Sequence, residues 1–246
     1  MRRSIAVSFF EQPGNGLTVR IVLTNDDGYG EPGLETLSDV IRPMGRPMVV
    51  APSAPQSGLG HQVNMKTPIR VTQGRREGHY VVHGAPADCT RLALKALVPD
   101  ADWVLAGINP GANLGSDVYQ SGTIAAVREA AILGVRAIAI SQYIAPGWTV
   151  DWPAAARQLA EILPMVMGEA LRQGQFWNIN LPSPITMDST VAHGFGPLDK
   201  NPHKYRYRQE GDAYHYEGII HDRPRTPGSD VDICFGGRIS ITRMEI

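Results

Sequence analysis

The stretch Val19-Arg20-Ile21-Val22-Leu23-Thr24-Asn25-Asp26-Asp27-Gly28 decides the fold. A run rich in β-branched side chains breaks off at four polar residues, as a buried strand does on reaching a loop. Working outward, Leu34 to Ile41 has helical spacing after Pro32-Gly33, and Met48 to Ala51 is a second short strand that stops at Pro52. A loop rich in Ser, Pro and Gly follows as far as Gly60. Tyr80 to His83 reads as a brief strand, Pro86 to Leu97 as a helix with an Ala/Leu face, and Trp103 to Ala106 as another buried strand. The polar loop Gly107 to Gly122, an Ala-rich helix over Thr123 to Leu133 and a strand over Val135 to Ser141 continue the alternation. Trp152 to Gln173 reads as mostly helix, kinked or divided at Pro164. Strands alternating with helices predict an α/β fold, a mainly parallel sheet covered by helices on both faces.

After Trp177-Asn178-Ile179-Asn180-Leu181-Pro182 the pattern changes. Asp199 to Asp232 is dense in Tyr, His, Arg, Asp and Gly with few aliphatics, so it cannot bury a core of its own, and strand alternation resumes over Val231 to Thr242. Tyr205 and Tyr207 alternate with Arg206 and Arg208, which suggests extended chain with Tyr on one face. The expected organisation is a loose extension over 1–17, set off by Pro13-Gly14-Asn15-Gly16, and one domain over 18–246. Its last part, from about 185, is a β-rich arm. Such an arm can add to a neighbouring subunit and make a homodimer or homotetramer; the alternative is a hairpin folded back on its own domain.

Composition narrows the function classes. Across 246 residues, 23 basic side chains balance 24 acidic ones, so no overall field draws the chain to nucleic acid or to an anionic membrane. Cys89 and Cys234 cannot build a disulfide framework and lack zinc-ligand spacing, so they read as small buried apolar residues. Ile5 to Phe10 is too short for a secretory core, and no 18-residue apolar run exists. The expectation is a soluble cytoplasmic protein. Glycine (26) and proline (19) exceed average usage, which points to many shaped loops in which chemistry resides.

Three of those loops leave strand ends, the edge at which open α/β sheets place ligands. Asp26 and Asp27 are adjacent carboxylates that repel each other unless neutralised, and a hard divalent cation with oxygen ligands is an economical neutraliser. Asp-Asp-Gly alone leaves open whether this is a cation site or a solvated turn. Gly28-Tyr29-Gly30-Glu31-Pro32-Gly33 also fits the dinucleotide fingerprint, but Asp26 and Asp27 would sit against a pyrophosphate. The acid expected about 20 residues on is replaced by Ala51-Pro52-Ser53. A haloacid-dehalogenase type phosphatase would space its Asp pair i and i+2, whereas here they are i and i+1.

The second loop, Ser53 to Gly60, supplies hydroxyls. The third, Gly107 to Asp117, offers Asn109 and Asn113 between glycines that let backbone approach a ligand. Ser121-Gly122-Thr123 then opens a helix whose free N–H groups and dipole suit a phosphate, or are simply capped by Ser121. His61 could approach this crevice, although a surface position is commoner. His83 reads as structural, and Asp88 as a brace for the helix near Pro86. His203, His215 and His221 fall in the polar tail, facing solvent or a neighbouring subunit.

Together these residues form a metal-plus-phosphate constellation, and the blocks that carry it resemble a family. IVLTNDDGYGEPGL, VVAPSAPQSGLG, HGAPADCTRLAL and AGINPGANLGSDVYQSGTIAAVREA are similar to successive signatures of the survival protein SurE family of nucleotidases, with weaker echoes in WNINLP and GGRISITRM. The resemblance implies a Rossmann-like three-layer sandwich and a phosphatase of nucleoside 5′- and 3′-monophosphates that uses a divalent cation, Mg²⁺ or Mn²⁺. It also implies an oligomer built through the C-terminal segment. Matched motif by motif, it implies Asp26, Asp27, Ser57 and Asn109 as metal ligands, and Asn113, Ser121, Gly122 and Thr123 at the phosphate. Gln120, where many members have Tyr, and Arg238 and Arg243 depart from the family pattern. The expected catalytic residues are Asp26, Asp27 and Asn109. The competing class is a nucleotide-binding or regulatory protein that has lost turnover.

Overall fold

A computed structural model describes residues 19–184 and 192–246. The expected extension over 1–17 and the point near 185 at which the arm was expected to begin lie outside the described residues.

The opening strand, β1 (Arg20–Thr24), is followed by α1 (Pro32–Ile41) and β2 (Arg46–Pro52), in the order the sequence predicts. A three-residue strand β3 (Val71–Gln73) and β4 (His79–Val82) come next; β3 is too short to leave a periodic signal. The helix α2 (Pro86–Leu92) relaxes into a π-helical turn over Ala93–Leu97. Then come β5 (Trp103–Pro110), a 3₁₀ turn (Gly115–Tyr119), α3 (Gly122–Ile132), β6 (Arg136–Gln142), α4 (Trp152–Gly168) and β7 (Gln175–Leu181). Pro164 does not divide α4, which runs through it as one element. The tail holds β8 (His193–Phe195), β9 (Tyr207–Glu210), β10 (Ala213–Tyr216), α5 (Asp230–Phe235) and β11 (Ile239–Glu245). The strand expected from Val231 is therefore a helix first. Ser229 caps it by accepting from the Asp232 N–H, and Asp at N1 and N3 suits its positive end.

Nine strands form one sheet in the order β3-β4-β2-β1-β5-β6-β7-β11-β8. The run from β4 to β7 is parallel, while β3 and β11 join it antiparallel. Alternation along β1 sends Ile21 and Leu23 to one face, packed with Leu37 of α1 and Leu159 of α4. Val22 goes to the other, packed with Val50, Val104 and Ile124 of α3. Both faces are thus covered, a three-layer α/β/α sandwich, and each fully buried aliphatic side chain contributes about 1.5–3 kcal/mol. Because β11 lies between β7 and β8, the last residues belong to this sheet and not to an arm. Among the described residues only β9 and β10 stand apart, as an exposed two-stranded hairpin.

Strand order reverses beside β1: the chain builds outward to β2 on one side and to β5 on the other. This topological switch opens a crevice beyond the carboxyl ends of β1 and β5. β5 runs to Pro110, four residues beyond its predicted end, through a bulge between Ala106 and Asn109. The bulge requires Gly107, whose φ is +142° and whose Cβ would lie 2.3 Å from the Ile140 carbonyl oxygen. Bulges of this kind re-aim side chains next to functional sites; here the one re-aimed is Asn109.

Candidate functional site

The crevice is a cleft of about 410 Å³ that brings together Asp26, Asp27, Ser57, Asn109, Asn113 and Ser121. Main-chain bonds hold its loops. The Gln56 N–H donates to the Asp26 carbonyl (2.7 Å), Tyr29 N–H to Pro52 (2.8 Å) and Gly60 N–H to Gln120 (3.1 Å), so the second loop is tied to the first and third. Asn25 closes the Asp-Asp turn by donating to the Gly28 carbonyl and accepting its N–H.

Asp26 is buried and accepts from the Thr123 hydroxyl through Oδ1. Gly122 packs on its other side: a Cβ there would fall 2.7 Å from Asp26 Cβ and 3.0 Å from Oδ2. Thr123 is fully buried and spends its hydroxyl on Asp26, while the Ser121 hydroxyl caps α3 by accepting from the Ile124 N–H. Of the start of α3, Ser121 lines the cleft, while Gly122 and Thr123 are buried against Asp26 and are not among the lining residues; the first N–H groups of a helix lack helical partners. Asn113 donates to Ser141 Oγ (2.8 Å). Its main chain is clamped by Asn178 and Asn180 of β7, which explains the polar residues in that otherwise apolar strand.

The electrostatics are lopsided. Asp26, Asp27 and Asp117 line the cleft, and among the described lining residues there is no Lys or Arg. Burial raises Asp26 above the usual carboxylate range. Burial, then the charges of Asp26 and Glu31, push Asp27 up to about 7. No group of three His, Cys, Asp or Glu gathers as a ligand set among the described residues, so a cation here would rest on two carboxylates and neutral oxygens. The residues fit that demand. Asn109 spends its Nδ2 on the Gly111 carbonyl (2.7 Å), leaving Oδ1 as the atom free to meet a ligand. This all-oxygen set suits a hard cation and not a soft one.

The SurE family model, described as survival protein SurE, matches residues 21–197. The chain belongs to the SurE family. A protein of Nostoc sp. (strain PCC 7120) provisionally named a 5′-nucleotidase is 43% identical over 227 residues, 92% of this chain and 99% of its own. A protein of Moorella thermoacetica named 5′-nucleotidase SurE is 34% identical over 238 residues, 92% of this chain and 90% of its own. The crystal structure of the SurE protein from Aquifex aeolicus superposes with a TM-score of 0.82 at 28% identity, covering 92% of this chain and 93% of that one.

Sequence reasoning missed part of the SurE cleft. His203, Tyr205, Tyr216 and Ile220 reach it from the tail, and Asp117 from the 3₁₀ turn. His203 therefore does not face solvent in this chain: its Nε2 is bonded to Asp117 Oδ1, and its side chain is 8% exposed. No local signal could pair residues 86 positions apart. His221 bonds the Tyr143 hydroxyl, and His215 lies 3.6 Å from Glu210. His61 turns to Glu129 (2.8 Å) and does not line the cleft. His83 meets Ser53, and Asp88 braces α2 through the Ala85 N–H.

Proposed function

We infer that this chain is a divalent-metal-dependent 5′-nucleotidase, hydrolysing nucleoside monophosphates to nucleoside and inorganic phosphate. One observation carries the reading: the Asp26–Asp27 pair, the neutral oxygens of Ser57 and Asn109 and a helix start share one cleft whose described lining residues include no Lys or Arg. A phosphate dianion entering beside Asp26 and Asp27 needs positive charge there that no lining Lys or Arg supplies. Asp26, Asp27, Ser57 and Asn109 would hold the cation, which supplies polarisation of the phosphoryl oxygens and a water of lowered pKa. Asn113 and the N–H groups at Gly122 and Thr123 receive the equatorial oxygens and stabilise their charge. Thr123 keeps Asp26 oriented, and the Asp27 carboxylate can take a proton from the attacking water. Release of phosphate from AMP with Mn²⁺ or Mg²⁺, abolished by EDTA, tests this; full turnover after exhaustive chelation, or AMP binding without turnover, refutes it. A panel of 5′- and 3′-monophosphates sets the positional preference.

The raised Asp27 pKa gives a signed pH prediction. Unfolded, Asp27 loses its proton near 4; folded and metal-free, it keeps it up to about 7. The stability this proton confers is complete below the unfolded value and lost as pH rises through the folded one. The cation binds the ionised form, so the melting-temperature gain from Mn²⁺ should grow between about pH 6 and pH 8. Scanning fluorimetry with and without metal reads it, and a gain that ignores pH contradicts the site.

No helix among the described residues is long and apolar enough to cross a membrane, and the reading keeps the protein in the cytoplasm. It also makes it a homodimer or homotetramer through the hairpin, where Tyr207, Tyr214 and Tyr216 are each more than half exposed. Ending the chain near Pro197 would remove β11 from the sheet, so excision of the hairpin is the cleaner test. Glu217 N–H donates to the Arg206 carbonyl (2.8 Å), so a short Gly-Ser turn can replace 207–216. Light scattering after size exclusion should show a smaller mass for that variant; an unchanged oligomer would mean that the hairpin does not hold the subunits together.

A further inference from the structure

His203 is placed as a catalytic group would be, not as a tail residue needs to be. Its Nε2 meets Asp117 Oδ1, and Asp117 Oδ2 takes a 2.8 Å bond from Arg223 Nη1. Arg223 is fully buried and also donates to the Leu114 carbonyl (3.2 Å). A carboxylate accepts only, so Nε2 carries the hydrogen in that bond and Nδ1 is the nitrogen left over. The arrangement is not required to dock the tail. Asp230 already does so by accepting from the Gly115 and Asp199 N–H groups (both 2.7 Å), and Asp199 in turn accepts from Ser229 and the Thr226 N–H.

Position in the cleft adds direction. Asp117 stands four residues before Ser121 at the phosphate end, while His203 is two residues before Tyr205, which lines the cleft with Tyr216 and Ile220. The His203 and Tyr205 rings are 5.7 Å apart. The cation and helix start suit a phosphate, and the aromatic and aliphatic wall suits the sugar and base. The ester oxygen that joins the two halves of a nucleotide would fall at that boundary, where His203 is a titratable side chain not committed to the cation. Asp117, Arg223, Tyr205 and Tyr216 are the charged and titratable groups around it.

We propose that His203 is the general acid that protonates the departing nucleoside oxygen, with Asp117 and Arg223 as its positioning residues. Water oxygen bonds to phosphorus as the phosphorus–ester bond breaks. The bonding pair leaves on the ester oxygen, which takes the Nδ1 proton of the His203 imidazolium. Solvent reprotonates the ring, and the proton lost by the water balances it. Charge builds on the leaving oxygen in such transition states, so the donation matters for a sugar alkoxide and little for a weakly basic aryl oxide.

The inference rests on the nucleotidase reading, and leaving-group dependence separates the two. His203→Gln should lower kcat on AMP and on ribose 5-phosphate by about 10²–10⁴-fold and on p-nitrophenyl phosphate by less than about tenfold. Retained aryl phosphate turnover also reports an intact fold. A wild-type series of aryl phosphates gives an arm free of any folding defect: a shallow dependence on leaving-group basicity supports the acid, a steep one overturns it. Equal losses on AMP and p-nitrophenyl phosphate, or none, overturn the proposal. A loss on AMP that spares ribose 5-phosphate would make His203 a base-binding residue instead. A wild-type protein that releases no phosphate from any of these refutes the nucleotidase reading itself.

Discussion

Asp27→Asn is expected to lower phosphate release from AMP by at least about 10²-fold, because even a partner one step removed from a metal costs 10–100-fold. Asp27 receives no hydrogen bond among the described residues, so it has no structural bond to lose, and Asn keeps its shape while removing its charge. Repulsion with Asp26 and Glu31 disappears with it. The metal-free variant should therefore melt higher than wild type above about pH 7, and its melting should no longer respond to pH through this site. Asp26→Asn should lose as much activity but gain less stability, since Asp26 also anchors Thr123. Phosphate-release kinetics beside melting curves check both; wild-type turnover in the two variants would move the site elsewhere.

Gly122→Ala should cost activity by roughly 10²-fold, the scale of an ångström's misplacement of a catalytic group. A glycine at a phosphate-binding helix start is usually explained by room for the ligand, and then only a bulky side chain would matter. Here a single methyl already collides, 2.7 Å from Asp26 Cβ and 3.0 Å from Oδ2. The carboxylate must shift, and with it the Thr123 bond. Metal affinity from titration calorimetry should fall together with kcat while circular dichroism stays unchanged. If Gly122→Ala keeps wild-type metal affinity and only Gly122→Val is impaired, Gly122 serves the phosphate and not the carboxylate.

The central layers were legible because their information is local. Buried parallel strands are short apolar runs, and Asn25 to Gly28 and Pro52 mark where β1 and β2 stop. That the loops after β1, β2 and β5 and the start of α3 share one edge followed from topology, since strand ends of a parallel sheet lie together, whereas Ser57 was singled out only by the family resemblance. What escaped was information held between distant segments. Strand β5 outran its predicted end because Gly107 permits a bulge that composition does not announce. Pro164 sits within α4 without dividing it, and Val231 to Phe235 is helical because of Ser229, a cap overshadowed by the alternation that follows. His203 and Asp117 form a pair only because Asp230 and Asp199 fasten the tail beside the 3₁₀ turn, and no spacing rule reaches across 86 residues.

The switch between β1 and β5 also sets an order of events. Ile21 pairs with Trp103 and Leu23 with Leu105, so the edge carrying Asp26 and Asn109 exists only after about 80 residues of intervening chain have closed into a loop. Contacts of such separation form late, once the entropy of closure has been overcome. No fragment of the chain can gather the oxygen donors, and a collapsed intermediate lacking the β1–β5 ladder has nothing to offer a cation. Binding energy of that kind is absent from the folding barrier and present in the finished state, where it acts as a brake on unfolding. The cation is a lock fitted after assembly and not a mould around which the chain condenses.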